Sequence, residues 1–344
     1  MILKERIALM ARLGDYFMED GDRWKKAKEE AFLQNPWFLP EYIDCATKQI
    51  ARSYLQKNLL EEWVQAYQAL SATQSATPEV GIVMAGNIPL VGFHDFLSVF
   101  ISGCRQRIKL SSKDKALWHH ILGLLTEWHT EVAQLVSFTD QLRSCQAYIA
   151  TGSNNSARYF DYYFSKYPHI IRRNRSSVAV LTGEENADDL RKLADDICLY
   201  FGLGCRNVTQ LLVPEGYDFN ALKEALAAYR HHLEEPKYKN NYDYQLALIL
   251  LNKITYEPAG PVLLVPSDSL FAPISVLHYR SYHNTEALLK ALPKAEETQC
   301  VIARHAVLPE AIPTIPFGAA QHPQLSDYAD QIDTLSFLST LKKL

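Results

Sequence analysis

The sequence lacks the features that mark a membrane-spanning or general nucleic-acid-binding protein. No apolar run reaches the roughly 20 residues that a membrane-spanning helix needs. The 344 residues carry a formal net charge of only −4, whereas a nucleic-acid footprint usually needs a basic excess or stripe. With 48% hydrophobic and 22% charged residues, the composition is that of a globular protein long enough for one large domain or two. We therefore expect no membrane span and no nucleic-acid partner.

Cysteine is scarce and scattered. A disulfide framework or a zinc site usually shows paired spacing, and the sequence has no C-x-x-C pair. We expect reduced thiols, as in the cytosol, and burial as small hydrophobes for most of them. The N-terminus has no signal-peptide core followed by a cleavage site, so we expect a cytoplasmic protein. The six cysteines are Cys45, Cys104, Cys145, Cys198, Cys205 and Cys300.

Several common motifs are also missing. The sequence contains no P-loop, no nucleophile elbow and no H-E-x-x-H metal motif. Gly202-Leu203-Gly204 does not match a dinucleotide fingerprint, because that motif follows a strand and opens a helix, and here the order is inverted. His119-His120 and His231-His232 are adjacent pairs, which diverge by about 100° on a helix and cannot easily share a metal. We expect no metal site.

What the sequence does contain is a long alternation of apolar strand patterns and helical patterns. Residues 1 to about 72 predict helices, and a polar stretch from His231 to Asp243 predicts a loop. The alternation between them and beyond indicates a parallel α/β protein, in which ligands bind beyond the carboxyl ends of the strands. The predicted strands are Val80–Ala85, Arg107–Leu110, Ala147–Ala150, Ser177–Leu181, Val208–Val213, Pro261–Val265, Ser275–Tyr279, Gln299–Ala303 and Thr334–Leu338.

The stretch from Phe201 to Val213 is the main local candidate for chemistry. Helical spacing ends at Phe201, Gly202 and Gly204 stop the helix, and a β-branched, aliphatic run follows. Cys205 therefore lies on a short glycine loop between two packed elements, a setting that suits a nucleophile. Since a lone cysteine is more often a small buried hydrophobe, the local sequence leaves both interpretations open.

Six short segments, taken in order, resemble the aldehyde dehydrogenase superfamily, and within it the acyl-CoA (long-chain fatty acid) reductases. The match runs from about Val80 to about Phe317. Each segment alone is a weak signal, and the shared order makes the resemblance specific. The segments are Ala85–Leu90, Arg107–Ser112, Ala150–Ser153, the glycine loop with Cys205, Leu270–Ile274 and Pro316–Gly318.

The resemblance implies a set of site residues and a cofactor. Cys205 is the implied catalytic nucleophile, and Asn87 the side-chain donor to the substrate oxyanion. The implied cofactor is NADPH or NADH, with a lean to NADPH. The residues implied to bind it are Lys109 and Ser111 at the adenosine ribose, Gly152 and Ser153 near the phosphates, and Phe271 at the nicotinamide.

The resemblance also implies an aldehyde-dehydrogenase-like α/β fold with two parallel α/β domains, a Rossmann-like cofactor domain and a cysteine-bearing catalytic domain. Residues 1–78 would be a helical segment packed on the cofactor domain. Residues 79–182 would bind the nicotinamide cofactor, and residues 183–310 would carry Cys205. Residues 311–344 would return to the cofactor domain and end in an oligomerisation strand, which implies a homo-oligomer.

Two departures from the family pattern bear on the reaction. Oxidising members carry a Glu-Leu-Gly-Gly-Lys segment at a strand end, whose glutamate activates water; here Leu181 stands at that place, with Glu184 and Glu185 close behind. The glutamate that holds the nicotinamide ribose is replaced by Ser269, with Asp268 beside it.

Hydrolysis of an enzyme thioester needs a base to activate water, and its reduction does not. We therefore expect NAD(P)H-dependent reduction of an acyl thioester, either acyl-CoA or an acyl carrier and most simply a fatty acyl group, to the aldehyde through acyl-Cys205. Arg206, or an arginine from residues 172–175, would supply positive charge for the thiolate. The alternatives are an acyl transferase or acyl-binding subunit that acylates Cys205 without reduction, and a non-catalytic scaffold. The resemblance also implies an acyl-activating or acyl-transfer subunit as a partner.

Overall fold

The fold is described from a computed structural model over residues 1–67 and 77–341. The chain forms two compact units, one made of Met1–Asn174 with the segment that begins at Pro323, the other of Arg175–His322. Within the described residues, no helix is long and apolar enough to cross a membrane.

The helices and strands follow the expected alternation over most of the chain. In chain order the helices are α1 (Leu3–Glu19), α2 (Asp22–Gln34), α3 (Pro40–Ser53), α4 (Lys57–Gln65), α5 (Phe93–Ser102), α6 (Ala116–Trp128), α7 (Val132–Leu135), α8 (Asn154–Phe164), α9 (Ala187–Cys198), α10 (Asn220–Leu226), α11 (Pro236–Leu251), α12 (Thr285–Ala291) and α13 (Thr334–Leu341). The strands are β1 (Glu79–Val83), β2 (Arg105–Lys109), β3 (Val136–Phe138), β4 (Ala147–Thr151), β5 (His169–Arg172), β6 (Ser176–Val180), β7 (Val208–Pro214), β8 (Glu257–Ala259), β9 (Val262–Pro266), β10 (Val276–Tyr282) and β11 (Thr298–Ile302).

The first unit is built on a five-stranded parallel sheet in the order β3-β2-β1-β4-β5. The central strand β1 has partners on both sides, and Val80 and Ile82 are fully buried, as expected for a strand covered on both faces. The N-terminal helices share this unit's core, because Met10, Leu13 and Phe17 of α1 point into it at helical spacing.

The second unit is built on a six-stranded sheet in the order β11-β6-β7-β10-β9-β8, in which β8 alone is antiparallel. Strand β6 pairs with β7 and β11, so the chain leaves the first unit after Asn174 rather than at residue 182. It returns at Pro323, later than the expected residue 311. The ranges implied by the resemblance differ from these units, because the pairing of strands decides to which unit a segment belongs.

The predicted final strand is wrong. Residues from Thr334 form helix α13, whose buried side chains Thr334, Leu335, Leu338 and Leu341 recur at helical spacing and join the core of the first unit. The described residues therefore contain no oligomerisation strand at this end of the chain. The loop predicted from His231 to Asp243 is also wrong in part, since α11 begins at Pro236, a residue favoured in the first turn of a helix.

Candidate active site

Three turns lie side by side at the carboxyl edge of the first sheet. Lys109 is the last residue of β2 and Ser111 follows it, Asn87 follows β1, and Gly152 follows β4. These three strands are neighbours in the sheet. The chain builds β2 and β3 on one side of β1 and β4 and β5 on the other, so the strand order reverses between β1 and β4. Dinucleotides bind at such a switch point. The sheet therefore brings the Lys109, Ser111, Asn87 and Gly152 positions predicted from sequence to one edge.

The Asn87 turn is held tightly against the turn after β2. Leu90 has a left-handed backbone (φ 53°), rare for a branched residue, and its N–H donates to Asp114 Oδ2 at 2.8 Å. A Cβ on Gly86 would lie 2.6 Å from Ser111 Oγ, so the two turns are in contact. Asp114 is buried, and burial raises its pKa to about 7, against the lowering effect of the Leu90 bond.

The turn after β4 opens helix α8. A Cβ on Gly152 would lie 2.9 Å from side-chain atoms of both Phe160 and Ser156, so glycine alone fits without a shift. Ser153 is the N-cap, and its Oγ accepts a hydrogen bond from Ser156 N at 3.3 Å. An 11-residue helix that begins at this edge presents backbone N–H groups and the positive end of its dipole, which suit a phosphate.

In the second unit, Cys205 is an exposed thiol on the loop that enters β7. The other two cysteines of this unit, Cys198 and Cys300, are buried, and burial raises the pKa of Cys198 far above its ordinary value. Cys198 is therefore a poor thiolate, and Cys205 is the exposed cysteine of this unit. Unlike the residues of the first unit, it lies at the amino end of its strand.

The approach to Cys205 is a strained turn. After α9, Tyr200 and Phe201 both have left-handed backbones (φ 56° and 58°), followed by Gly202 at φ 71°. Consecutive left-handed residues with side chains cost on the order of 1–2 kcal/mol each and persist only where packing holds them. Packing holds this turn, because both aromatic side chains are buried. The ring centroids of Phe201 and the buried His232 are 4.6 Å apart.

One buried side chain, Asn207, joins the two ends of this turn. Its Oδ1 accepts from Gly204 N at 2.8 Å. Its Nδ2 donates to the carbonyl oxygens of Leu199, Asp196 and Ile197, at 2.9, 3.1 and 3.3 Å. These are carbonyls at the end of α9, which a helix leaves without partners of its own. Asn207 was not among the site residues predicted from the sequence.

The segment Pro316–Gly318 is also tied to α9. The buried carboxylate of Asp196 accepts from Gly318 N at 2.6 Å and from Ala320 N at 3.1 Å. Burial raises the pKa of Asp196 to about 7, and the two backbone N–H groups oppose that shift. Asp196 could have been noticed in the sequence, because it is a charged residue on the apolar face of a predicted helix, next to Ile197.

Phe271 lies on the loop between β9 and β10 and is half-buried against Leu270 and its core. This loop is fixed by side chains of β7, since Thr209 Oγ1 donates to Leu270 O at 2.6 Å and Gln210 Nε2 to Ser267 O at 3.1 Å. Ser269, at the place of the ribose-binding glutamate, turns its hydroxyl to Phe271 O at 3.1 Å.

The position aligned with the family's glutamate, at the end of β6, is not a carboxylate, and the two nearest glutamates, Glu184 and Glu185, lie in the turn that follows. Leu181 is fully buried in the core of the second unit. Glu185 is used by its own turn, where it accepts from Thr182 N at 2.7 Å and from Gly183 N at 3.1 Å. Strand β5, which the sequence analysis missed, ends at Arg172, and no acidic residue lies within it or directly after it.

The arginines proposed to support a thiolate point elsewhere. Arg172 is buried and binds both carboxylate oxygens of Asp95, at 2.7 and 2.6 Å. Arg173 pairs with Asp161 at 2.7 Å, and Arg175 donates to backbone carbonyls near β11. Arg206 donates to Cys300 Sγ at 3.4 Å. Each of these arginines therefore has at least one other partner in the described residues, and a supply of positive charge to Cys205 stays a prediction.

In the described part of the chain, no group of three or more His, Cys, Asp or Glu side chains could hold a metal ion. No protein-family model matches the sequence, and no curated protein matches it. The fold, in contrast, matches solved structures over most of the chain.

One such structure is aldehyde dehydrogenase 21 from Physcomitrella patens in complex with the reaction product succinate, with a TM-score of 0.70 and 13% identity over 99% of this chain and 84% of that one. An oxidoreductase from Marinobacter aquaeolei matches with a TM-score of 0.66 and 10% identity, over 89% and 74% of the two chains. An NAD+ complex of aldehyde dehydrogenase from Bacillus cereus matches with a TM-score of 0.61 and 14% identity, over 88% and 72%.

The chain therefore has the aldehyde dehydrogenase fold, which confirms the α/β class expected from the sequence. At identities this low, the likeness establishes the fold, and the activity has to be argued from the site.

Proposed function

We propose that the protein is a nicotinamide-dependent oxidoreductase that reduces an acyl thioester to an aldehyde through an acyl-Cys205 intermediate. The observation that carries the proposal is an exposed Cys205, held on a strained loop before β7, in an aldehyde dehydrogenase fold. Backbone strain next to a reactive group is a recurrent property of catalytic loops.

The nicotinamide nucleotide would be held by the carboxyl edge of the first sheet, with Lys109 and Ser111 at the ribose and Gly152 and Ser153 at the phosphates. The tight Gly152 turn and the start of α8 fit a pyrophosphate. Phe271, half-buried on a braced loop, would pack against the nicotinamide. When bound, the reduced nicotinamide supplies the hydride.

The chain's own residues carry the acyl transfer. The Cys205 thiolate forms a bond to the acyl carbon, the bond to the CoA or carrier sulfur breaks, and that thiol leaves with a proton. After hydride addition the hemithioacetal collapses to aldehyde and returns the electron pair to the Cys205 sulfur. Both stages pass through an oxyanion, for which the Cys205 N–H and the Asn87 amide are the proposed donors, each typically worth about 10²–10³ in rate.

The reductive direction rests on the missing base. Leu181 is buried and Glu185 is bound by backbone N–H groups of its own turn. Without a carboxylate at the Leu181 position to activate water, an acyl-Cys205 would be slow to hydrolyse and would persist until hydride reaches it.

The test is to mix the protein with NADPH or NADH and acyl-CoA of varied chain length, and to follow nucleotide oxidation and aldehyde formation. We expect nucleotide oxidation and a hydroxylamine-sensitive acyl adduct on the wild type, and neither with Cys205→Ala. Absence of both from the wild type, across all chain lengths and both nucleotides, would reject the proposal.

A second candidate is acyl transfer through Cys205 without reduction. It is favoured by Ser269, whose short hydroxyl is turned back to Phe271 O and does not replace the carboxylate that holds the nicotinamide ribose in the family. Saturable binding of NADPH or NADH, measured by titration calorimetry, would argue against this alternative, and acylation without nucleotide binding would favour it.

The resemblance further leads us to propose a homo-oligomer that works with an acyl-activating or acyl-transfer subunit. Because Thr334 to Leu338 lie in helix α13 rather than in a strand, this oligomer would not use strand exchange by these residues. Sedimentation of the purified protein tests the assembly, and co-purification tests the partner.

A further inference from the structure

The backbone on both sides of Cys205 is fixed by hydrogen bonds. Asn207 holds the two peptide groups that flank Gly204, because its Oδ1 accepts from Gly204 N at 2.8 Å and its own N–H donates to Gly204 O at 3.1 Å. The hydroxyl of Ser177, which is fully buried at the start of β6, donates to Cys205 O at 3.1 Å.

These bonds determine where the Cys205 N–H points. Gly204 O and the Cys205 N–H belong to one trans peptide plane, so they point in opposite directions. Because Gly204 O accepts from Asn207 N inside the turn, the Cys205 N–H points away from the turn. Cys205 itself is exposed. The peptide that follows Cys205 is held in turn by Ser177.

Asn207 is itself anchored. Its Nδ2 bonds to the carbonyls at the end of α9 set the loop against the helix, and Ser177 N donates to Asn207 O at 3.3 Å as part of the β6–β7 pairing. The carboxylate of Asp196 extends the same framework to Gly318 and Ala320.

We propose that Asn207 and Ser177 are positioning residues that aim the Cys205 backbone N–H at the oxyanion formed during acyl transfer. The inference rests on the proposed function, in which Cys205 is acylated. Neither side chain would touch the substrate, and both would act through the two peptide planes that flank the nucleophile.

The experiment compares two reactions of the same thiol. Acylation by p-nitrophenyl acetate passes through an oxyanion and gives a burst of p-nitrophenol, whereas alkylation by iodoacetamide forms no oxyanion. We expect Asn207→Ala to slow acylation by about 10²-fold and Ser177→Ala by about 10-fold, within the range of one lost or misaligned donor. Alkylation of Cys205, followed by peptide mass, should change by less than about twofold in both variants.

Two controls separate positioning from general stability. Ser98→Ala removes an equally buried hydroxyl, which donates to His94 O in the first unit, and should leave both rates unchanged. Ser177→Thr keeps a hydroxyl and should restore acylation. If Asn207→Ala does not fold, Ser177→Ala, which removes one bond, still decides the question.

The outcomes are distinguishable. A wild type that is acylated on Cys205, with variants whose acylation is unchanged or falls in step with alkylation, would overturn the positioning role alone. A wild type that is acylated neither by this ester nor by acyl-CoA would overturn the proposed function, and the positioning role with it.

Discussion

The two sheets present their candidate residues at opposite ends of their strands. In the first unit, Asn87, Ser111 and Gly152 follow strands β1, β2 and β4 at the carboxyl edge, where α/β sheets commonly bind ligands. In the second unit, Cys205 precedes β7, at the amino end.

The two sets of candidate residues are also held in place by different local structures. Turns at the carboxyl edge of the first unit need a close-fitting glycine at position 152 and a helix start, both common features of α/β folds. The Cys205 loop does not open a helix at the carboxyl end of a strand. It uses two left-handed aromatic residues, Tyr200 and Phe201, and the buried carboxamide of Asn207. The loop that carries Cys205 is therefore the more specialised of the two arrangements.

If the two units carry separate tasks, single substitutions should separate cofactor binding from acylation. Gly152→Val places side-chain atoms about where Phe160 and Ser156 now lie, so we expect NADPH affinity to fall by roughly 10–100-fold, since a helix start that holds phosphate must shift. Acylation of Cys205 by an activated ester should be unaffected. Cys205→Ala should show the reverse, with acylation abolished and nucleotide affinity unchanged.

The control for the glycine is Gly123→Ala, because nothing lies within 4 Å of a Cβ at that position of α6. It should bind the nucleotide as the wild type does. Loss of nucleotide binding in Cys205→Ala, or loss of acylation in Gly152→Val without a change in melting temperature, would show that the division of labour is wrong.

Each unit also holds a buried aspartate, and the same substitution should act differently on the two. Asp196 accepts from two backbone N–H groups, and an asparagine has one acceptor oxygen, so Asp196→Asn leaves Gly318 N or Ala320 N without its partner. We expect a loss of about 1–3 kcal/mol at about pH 8. In Asp114→Asn the single bond from Leu90 N can be kept.

The pH dependence distinguishes them further. Burial raises the pKa of Asp114 to about 7, above its unfolded value of about 3.9. Its contribution to stability is therefore complete below about pH 4 and is lost as the pH rises through about 7. Asp114→Asn should flatten this decline between about pH 5 and pH 8, as measured by urea unfolding at each pH. An unchanged slope would show that folded Asp114 is already ionised across this range, and that burial does not raise its pKa.

Much of the fold could be predicted from the sequence, because buried parallel strands such as β1 are apolar throughout and stand out from the polar turns that follow them. Strand β5 was missed because its last residue, Arg172, is a charge that becomes buried only through Asp95, a contact 77 residues away in sequence. The residues from Thr334 to Leu338 fit both a strand and a helix pattern, and the choice depends on packing into a core built from the other end of the chain.

The candidate site divides in the same way. The place of Cys205 on a loop before a strand could be predicted, because a glycine loop, a helix end and a strand start are local features. The role of Asn207 could not, because its partners are carbonyls of residues 196–199 that come within reach only when Tyr200 and Phe201 adopt left-handed backbones. The need for a thiolate suggested nearby arginines, but the sequence could not show that Arg172 pairs with Asp95.

The smallest expected effect is a loss of stability at acidic pH. His232 is buried against Phe201, on the strained turn before Cys205, and burial lowers its pKa to about 3. In the unfolded chain its pKa is about 6.5. Unfolding therefore takes up a proton between these values, and stability falls as the pH drops below about 6.5, by up to about 1.4 kcal/mol per pH unit.

Replacement of the ring should remove this acid sensitivity from the unit that carries Cys205. We expect His232→Phe to lose about 1 kcal/mol less than the wild type between about pH 6.5 and pH 5.5, while the exposed neighbour substitution His231→Phe keeps the wild-type slope. Because both proteins retain Asp196, its opposite pH dependence cancels in the difference between them. An equal acid slope in wild type and His232→Phe would mean that the imidazole takes up its proton in the folded state, and that the turn before Cys205 opens to water more readily than its packing indicates.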